Sequence, residues 1–223
     1  MKRFNVRVGL GMILWGLLSG SLLANPATAA LVTFNFTGTV TQVGSNLGAS
    51  PFGGSPILLS GSYTFNPATS NSSVIPSIGQ YNNTISNLTF QLGTYGNIPG
   101  TITPNSILVA NNFLGGDGYL LAAPFSGAAV NGRNPLAFEF DLTGNSSAFG
   151  STALPTTPPS LSSFATKTFR VIFAGGVHSI VQGTLTSLTA VPLPATVILF
   201  GAGLVALAGL GAGSWRQRRN DLT

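Results

Sequence analysis

The amino-acid sequence predicts an all-β protein built as an antiparallel β-sandwich or jelly-roll-like domain. Three observations lead there. Apolar residues recur at every second position in short runs, clusters of Gly, Pro, Ser and Asn punctuate those runs, and residues 30–190 hold no amphipathic helical pattern. The chain has 15 phenylalanines, and the runs repeatedly place them on one side, as suits a pleated surface with one dry face.

Residues 31–44, LVTFNFTGTVTQVG, put Val32, Phe34, Phe36, Gly38 and Val40 on one side and Thr33, Asn35, Thr37, Thr39 and Thr41 on the other, a two-residue period and hence a strand. Residues 57–66 resume the alternation through Tyr63 and Phe65 and stop at Pro67. After a polar loop, residues 86–92 alternate through Leu88, Phe90 and Leu92. Residues 98–103, 106–113 and 119–122 are shorter candidate strands separated by Gly and Pro. In residues 136–143 the pattern places Leu136, Phe138, Phe140 and Leu142 inward and Ala137, Glu139, Asp141 and Thr143 outward. The last two runs are 167–174, with Phe169, Val171 and Phe173 in register, and 177–191. Two stretches of low complexity, the Gly/Ser-rich 45–56 and the Ser/Thr/Pro-rich 145–163, read as mobile loops. With no cysteine, the fold must hold through its core, and residues 30–190 are long enough for one.

The flanks carry a different pattern. Lys2, Arg3 and Arg7 precede an uncharged run from Val8 to Leu23, then the helix breakers Asn25 and Pro26, then Ala27-Thr28-Ala29. This is the layout of a secretory signal peptide over residues 1–29, with Ala27 and Ala29 as the small residues a signal peptidase requires; an uncleaved anchor is the alternative. At the other flank, residues 197–215 are uncharged and, at 1.5 Å per residue, reach about 28 Å, the thickness of a bilayer core. Five glycines dilute this predicted transmembrane helix, as is frequent in membranes. Arg216, Arg218 and Arg219 follow as a basic stop on the cytoplasmic side.

Just before that segment stand Val191, Pro192, Leu193, Pro194 and Ala195. A short proline motif, a glycine-studded hydrophobic helix and a basic cluster, in that order over residues 191–219, resemble the PEP-CTERM sorting signal of envelope proteins processed by exosortases. The name-giving Pro-Glu-Pro is here Pro192-Leu193-Pro194, and VPLPA resembles a variant of the family's motif. The resemblance implies export, transient insertion in the inner membrane, cleavage near the proline motif by an exosortase-type enzyme, and delivery to the cell surface or extracellular matrix. A permanent membrane anchor is the other reading of the same residues.

The formal net charge of +5 invites a nucleic-acid reading, but six of the nine basic residues lie in the two flanking segments. Between residues 30 and 190 only Arg133, Lys167 and Arg170 face Asp117, Glu139 and Asp141, so this body is neutral and no nucleic-acid partner is expected. With both basic ends on the cytoplasmic side, the body lies outside the inner membrane. Asn-x-Ser/Thr triplets at Asn35, Asn71, Asn82, Asn87 and Asn145 are read as products of a Thr/Ser/Asn-rich surface rather than glycosylation sites.

Residues that carry chemistry are few. The lone His178 reads as a core-edge or surface residue. Glu139 and Asp141, two apart on one strand face, would stand roughly 7 Å apart, within the range of a glycosidase pair. Gly115-Gly116-Asp117-Gly118 reads as a turn whose single carboxylate falls short of a calcium site. No cofactor or metal is expected. Three functions follow in order: a non-catalytic surface or matrix protein retained among exopolysaccharide, a carbohydrate-binding module using Tyr81, Tyr95 or Tyr119 as stacking platforms, and a glycoside hydrolase through Glu139 and Asp141.

Overall fold

The alternating runs pair into one continuous sheet. The computed structural model describes residues 30–191 and contains ten strands: β1 (Val32–Val43), β2 (Leu58–Phe65), β3 (Ile78–Asn82), β4 (Ile85–Leu92), β5 (Tyr95–Gly96), β6 (Ser106–Phe113), β7 (Gly116–Pro124), β8 (Pro135–Asn145), β9 (Phe164–Phe173) and β10 (Ile180–Ala190). Every pairing is antiparallel, in the order β3-β6-β7-β8-β9-β10-β1-β2-β4-β5. The all-β antiparallel class is as expected. The inner faces meet because this single sheet curls upon itself.

Aromatic contacts across the curl show which halves face each other. Phe36 of β1 stacks on Phe138 of β8 with ring centroids 5.3 Å apart, although β10 and β9 stand between these strands in the sheet. Phe90 of β4 meets Phe138 at 4.9 Å and Phe125, just after β7, at 5.1 Å. The hydroxyls of Tyr63 on β2 and Tyr119 on β7 share a 2.9 Å hydrogen bond at the centre, both side chains fully buried. Alternate residues of every long strand thus fill one core, and stacked and edge-to-face rings hold it. Glycine makes room for the largest of them. Gly38 of β1 and Gly183 of β10 lie under the ring of Phe169, and a Cβ at Gly38 would stand 2.8 Å from that ring.

Because β3 and β4 are consecutive yet lie at opposite flanks of the sheet, the corner Asn83-Thr84 marks the seam where the curl nearly closes. Ile98 and Ser126 form an isolated bridge across the same seam. The flanking edges are covered by asparagine side chains in one repeated geometry. On β4, Asn97 Oδ1 accepts from the Phe90 N–H (2.6 Å) and its Nδ2 donates to the Leu88 carbonyl (2.9 Å). On β3, Asn71 Oδ1 accepts from the Gln80 N–H (2.9 Å) and its Nδ2 donates to the Ile78 carbonyl (3.4 Å). A side-chain amide carries the same donor and acceptor as a peptide, so each asparagine stands in for a missing strand.

Several sequence expectations need correction. Residues 98–103 form no strand beyond the Ile98 bridge, whereas 78–82, read as part of a polar loop, form β3. Leu136 is exposed, because the register of β8 on β9 shifts between Pro135 and Ala137 and turns it away from the core. Residues 176–179 form a 3-10 turn, so β10 begins only at Ile180. The two low-complexity loops, expected to have little to bury, are anchored to the body. Leu47 and Phe52 of the first are fully buried, and Leu154 of the second is buried while the Tyr81 hydroxyl donates to the Thr152 carbonyl (2.8 Å). A few apolar side chains reaching the open ends of the curled sheet suffice to hold them.

Candidate functional site

The residues that best connect to a function lie at the end of β10. On β10, Val181, Gly183, Leu185 and Leu188 face the core, and the register ends with Ala190 opposite Phe34. Val191, the last described residue, continues the pairing: its N–H donates to the Thr33 carbonyl at 3.0 Å, while its side chain is exposed. The next residue in sequence, Pro192, has no N–H with which to extend the ladder. Ala30 and Leu31 enter β1 beside this point, so both ends of the domain emerge together. Among the other predicted site residues, Pro192, Leu193, Pro194, Ala195, Arg216, Arg218, Arg219, Ala27 and Ala29 lie outside the described residues, as do the signal peptide and the helix expected over 197–215. Among the described residues, no helix is long and apolar enough to cross a membrane.

The tyrosines expected as sugar platforms do not serve as such. Tyr81, Tyr95 and Tyr119 are buried, because the inward parity of their strands carries them into the core. Burial raises the pKa of Tyr81, raises that of Tyr95 to about 12, and raises Tyr119 well above the ordinary value. Tyr63 is raised likewise by burial and by its proximity to Tyr119. These hydroxyls spend their hydrogen bonds inside: Tyr95 donates to the Ala128 carbonyl at 2.9 Å.

Glu139 and Asp141 do share the outer face of β8, as the alternation predicts, but the surroundings are those of a sheet surface. Glu139 Oε2 accepts from Nη2 of its cross-strand neighbour Arg170 at 3.0 Å, and both side chains are partly exposed. Such a pair contributes about 0.2–1 kcal/mol. Asp141 lies between Leu120 and Thr168, and its Oδ1 has no hydrogen-bond partner among the described residues. Neither carboxylate lines either of two shallow clefts among the described residues. One, of about 460 Å³, is formed within the 148–160 loop, and the other, of about 380 Å³, lies over Ser106, Ala122, Pro124 and Ala137.

Asp117 plays a part the sequence did not disclose. The turn expected there closes two residues earlier, at Leu114-Gly115, and Asp117 belongs to β7 with only 3% of its surface exposed. Its Oδ1 accepts from the Asn112 N–H (2.8 Å), and its Oδ2 from the N–H groups of Ala148 (2.8 Å) and Phe149 (2.9 Å). Three amides donate to the carboxylate, which pins the 145–163 loop across the end of the sheet. The sequence signal was a lone acid among glycines, without its partners. His178 is exposed on the 3-10 turn, and its carbonyl accepts from the Asn46 N–H (3.0 Å). Among the described residues, no group of three His, Cys, Asp or Glu side chains is placed to hold a metal ion.

These features define a class: an all-β domain on one curled antiparallel sheet, with the first and last described residues side by side at the start of β1 and the end of β10. Comparison with protein-family models, with curated proteins and with solved structures finds no match to this chain.

Proposed function

We propose that this is a non-catalytic, exported surface or extracellular-matrix protein, released by signal peptidase after residue 29 and sorted by an exosortase-type enzyme acting on residues 191–195. The observation that carries this reading is the position of Val191, which among the described residues is the last one bonded to the sheet and is the first of the VPLPA motif. The motif begins just after β10, so cleavage within it would leave all ten described strands intact. A neutral body whose surface is made of Thr, Ser and Asn fits retention among exopolysaccharide, where hydroxyl and amide groups exchange hydrogen bonds without charge.

Intact-mass measurement of the protein from native envelope and culture medium tests the reading. Loss of both flanking segments is expected, with a new C-terminus near Pro194. Retention of residues 197–219 in every molecule would identify a permanent anchor instead and overturn the sorting proposal.

A further inference from the structure

The β6–β7 hairpin turns through Leu114 and Gly115, both at positive φ (+53° and +84°), between the paired residues Phe113 and Gly116. This geometry favours Asn-Gly or Gly at the first turn position, and the chain uses Asn131-Gly132 (+47° and +74°) for the equivalent turn between Val130 and Arg133. A leucine in the left-handed region costs about 1 kcal/mol, and with 92% of its surface exposed Leu114 recovers nothing from the core. Phe113 beside it is the single exposed phenylalanine among the described residues. The segment leading into β3 adjoins this tip, since the Asn111 N–H donates to the Ser77 carbonyl (3.0 Å), and it carries Val74 (95% exposed) and Ile75 (45%). Four apolar side chains therefore gather at one corner without a core role.

Their place on the sheet says what they face. Each neighbouring pair in the row β1-β10-β9-β8-β7-β6 is antiparallel, so the start of β1, the end of β10, the β8–β9 connection and the β6–β7 tip share one rim. From β10 to the tip is three to four strand spacings, about 14–19 Å. Residues 192–196, the link between Val191 and the apolar segment 197–215, reach about 17 Å when extended. While that segment sits in a bilayer, this rim is held against the lipid surface, and Leu31 and Val191 on it are exposed as well. No charged side chain other than the buried Asp117 belongs to the tip or to residues 72–77, so lipid headgroup charge is irrelevant to the contact.

Resting on the tether reading above, we propose that Phe113, Leu114, Val74 and Ile75 form a lipid-contacting patch that seats the domain on the bilayer while the 197–215 segment is still attached, and so fixes the orientation of the 191–195 motif toward its processing enzyme.

The absence of cysteine allows a direct test. The full-length protein is reconstituted into phosphatidylcholine vesicles with Leu114→Cys or, on the opposite rim, Val177→Cys, each carrying an environment-sensitive fluorophore. The expected result is a blue-shifted emission at position 114, quenched by lipid-borne quenchers, with a water-like emission at 177. Co-flotation with water-like emission at both positions would overturn the patch and leave the tether standing. Failure to co-float would overturn the tether and the patch together. An emission at 114 already shifted in detergent and rising with protein concentration would assign the patch to a second copy of the chain and overturn the lipid contact. Leu114→Asn, which suits the turn and so keeps the fold, should weaken quenching of a label at Ile75→Cys at least twofold; unchanged quenching there would likewise count against the proposal.

Discussion

The side-chain amide of Asn105 holds both backbone groups of Ile85: its Oδ1 accepts from the Ile85 N–H at 2.9 Å and its Nδ2 donates to the Ile85 carbonyl at 3.0 Å. Asn105 precedes β6 and Ile85 opens β4, so this one residue bridges the seam of the curled sheet. Its Nδ2 also donates to the Ile102 carbonyl (2.9 Å), and its own carbonyl accepts from the Asn83 N–H (2.7 Å). Replacing it with alanine leaves three backbone groups near Ile85 and Ile102 without a protein partner. Asn105→Ala is expected to lower stability by about 2–4 kcal/mol, read as a reduced midpoint in urea at unchanged slope.

Asn71 and Asn97 do the same for the two outer edges, which gives a different expectation. Removing their amides costs little folding energy, since both sites border solvent, but uncovers ladder groups on β3 and β4. The double variant Asn71→Ala/Asn97→Ala should self-associate more than the parent at equal concentration, seen as larger species by light scattering. An unchanged size distribution would show that neither amide guards an edge.

All four tyrosines of the chain have raised pKa values, with Tyr63 and Tyr119 the most deeply buried. Above the unfolded value of about 10, the unfolded state releases phenolic protons that the folded state retains, so stability falls as pH rises. Stability from these groups is therefore flat below pH 10 and declines from there through about 12. A titration of tyrosinate absorbance should show no ordinary ionisation near pH 10, then a cooperative rise on unfolding. Tyr63→Phe/Tyr119→Phe should flatten that decline.

Asp117→Asn keeps the size of the side chain but removes an acceptor and the charge that three N–H groups share. A loss of about 2–4 kcal/mol is expected. Because two of those groups belong to Ala148 and Phe149, limited proteolysis should move to residues 145–160 before the strands are cut. Cleavage elsewhere first would mean that Tyr81 and Leu154 alone hold the loop.

Leu114→Asn should raise stability by about 0.5–1 kcal/mol, because asparagine tolerates the left-handed backbone and the leucine is not packed. Thermal unfolding of the protein in detergent reads this directly. A lower melting temperature would show that Leu114 is held by the fold and would remove the reason to assign it to a partner.

Much of the strand content was legible because strand alternation is a local property. Phe34 and Phe36, Phe138 and Phe140, and Phe169, Val171 and Phe173 face inward as their parity predicts. Parity failed at Leu136, where a register shift decides the face; Tyr81, Tyr95 and Tyr119, expected as exposed platforms, lie on the inward side of their strands. The short β3 escaped notice because its alternation spans only Ile78–Asn82, and its partner β6 lies twenty-odd residues away.

The sequence by itself determined the all-β class, most of the inward set of the long strands, the neutrality of the body and the residue without an N–H that follows Val191. Each depends on neighbours along the chain: two-residue periodicity, side-chain charge, and a residue without an N–H. Only the tertiary structure decided that the strands form one curled sheet, that Asn71, Asn97 and Asn105 act as missing strand partners, and that Asp117 gathers amides from its own hairpin and from the distant Ala148-Phe149. Those outcomes depend on which backbone groups remain unpaired once the sheet has closed, and that is a property of the whole fold.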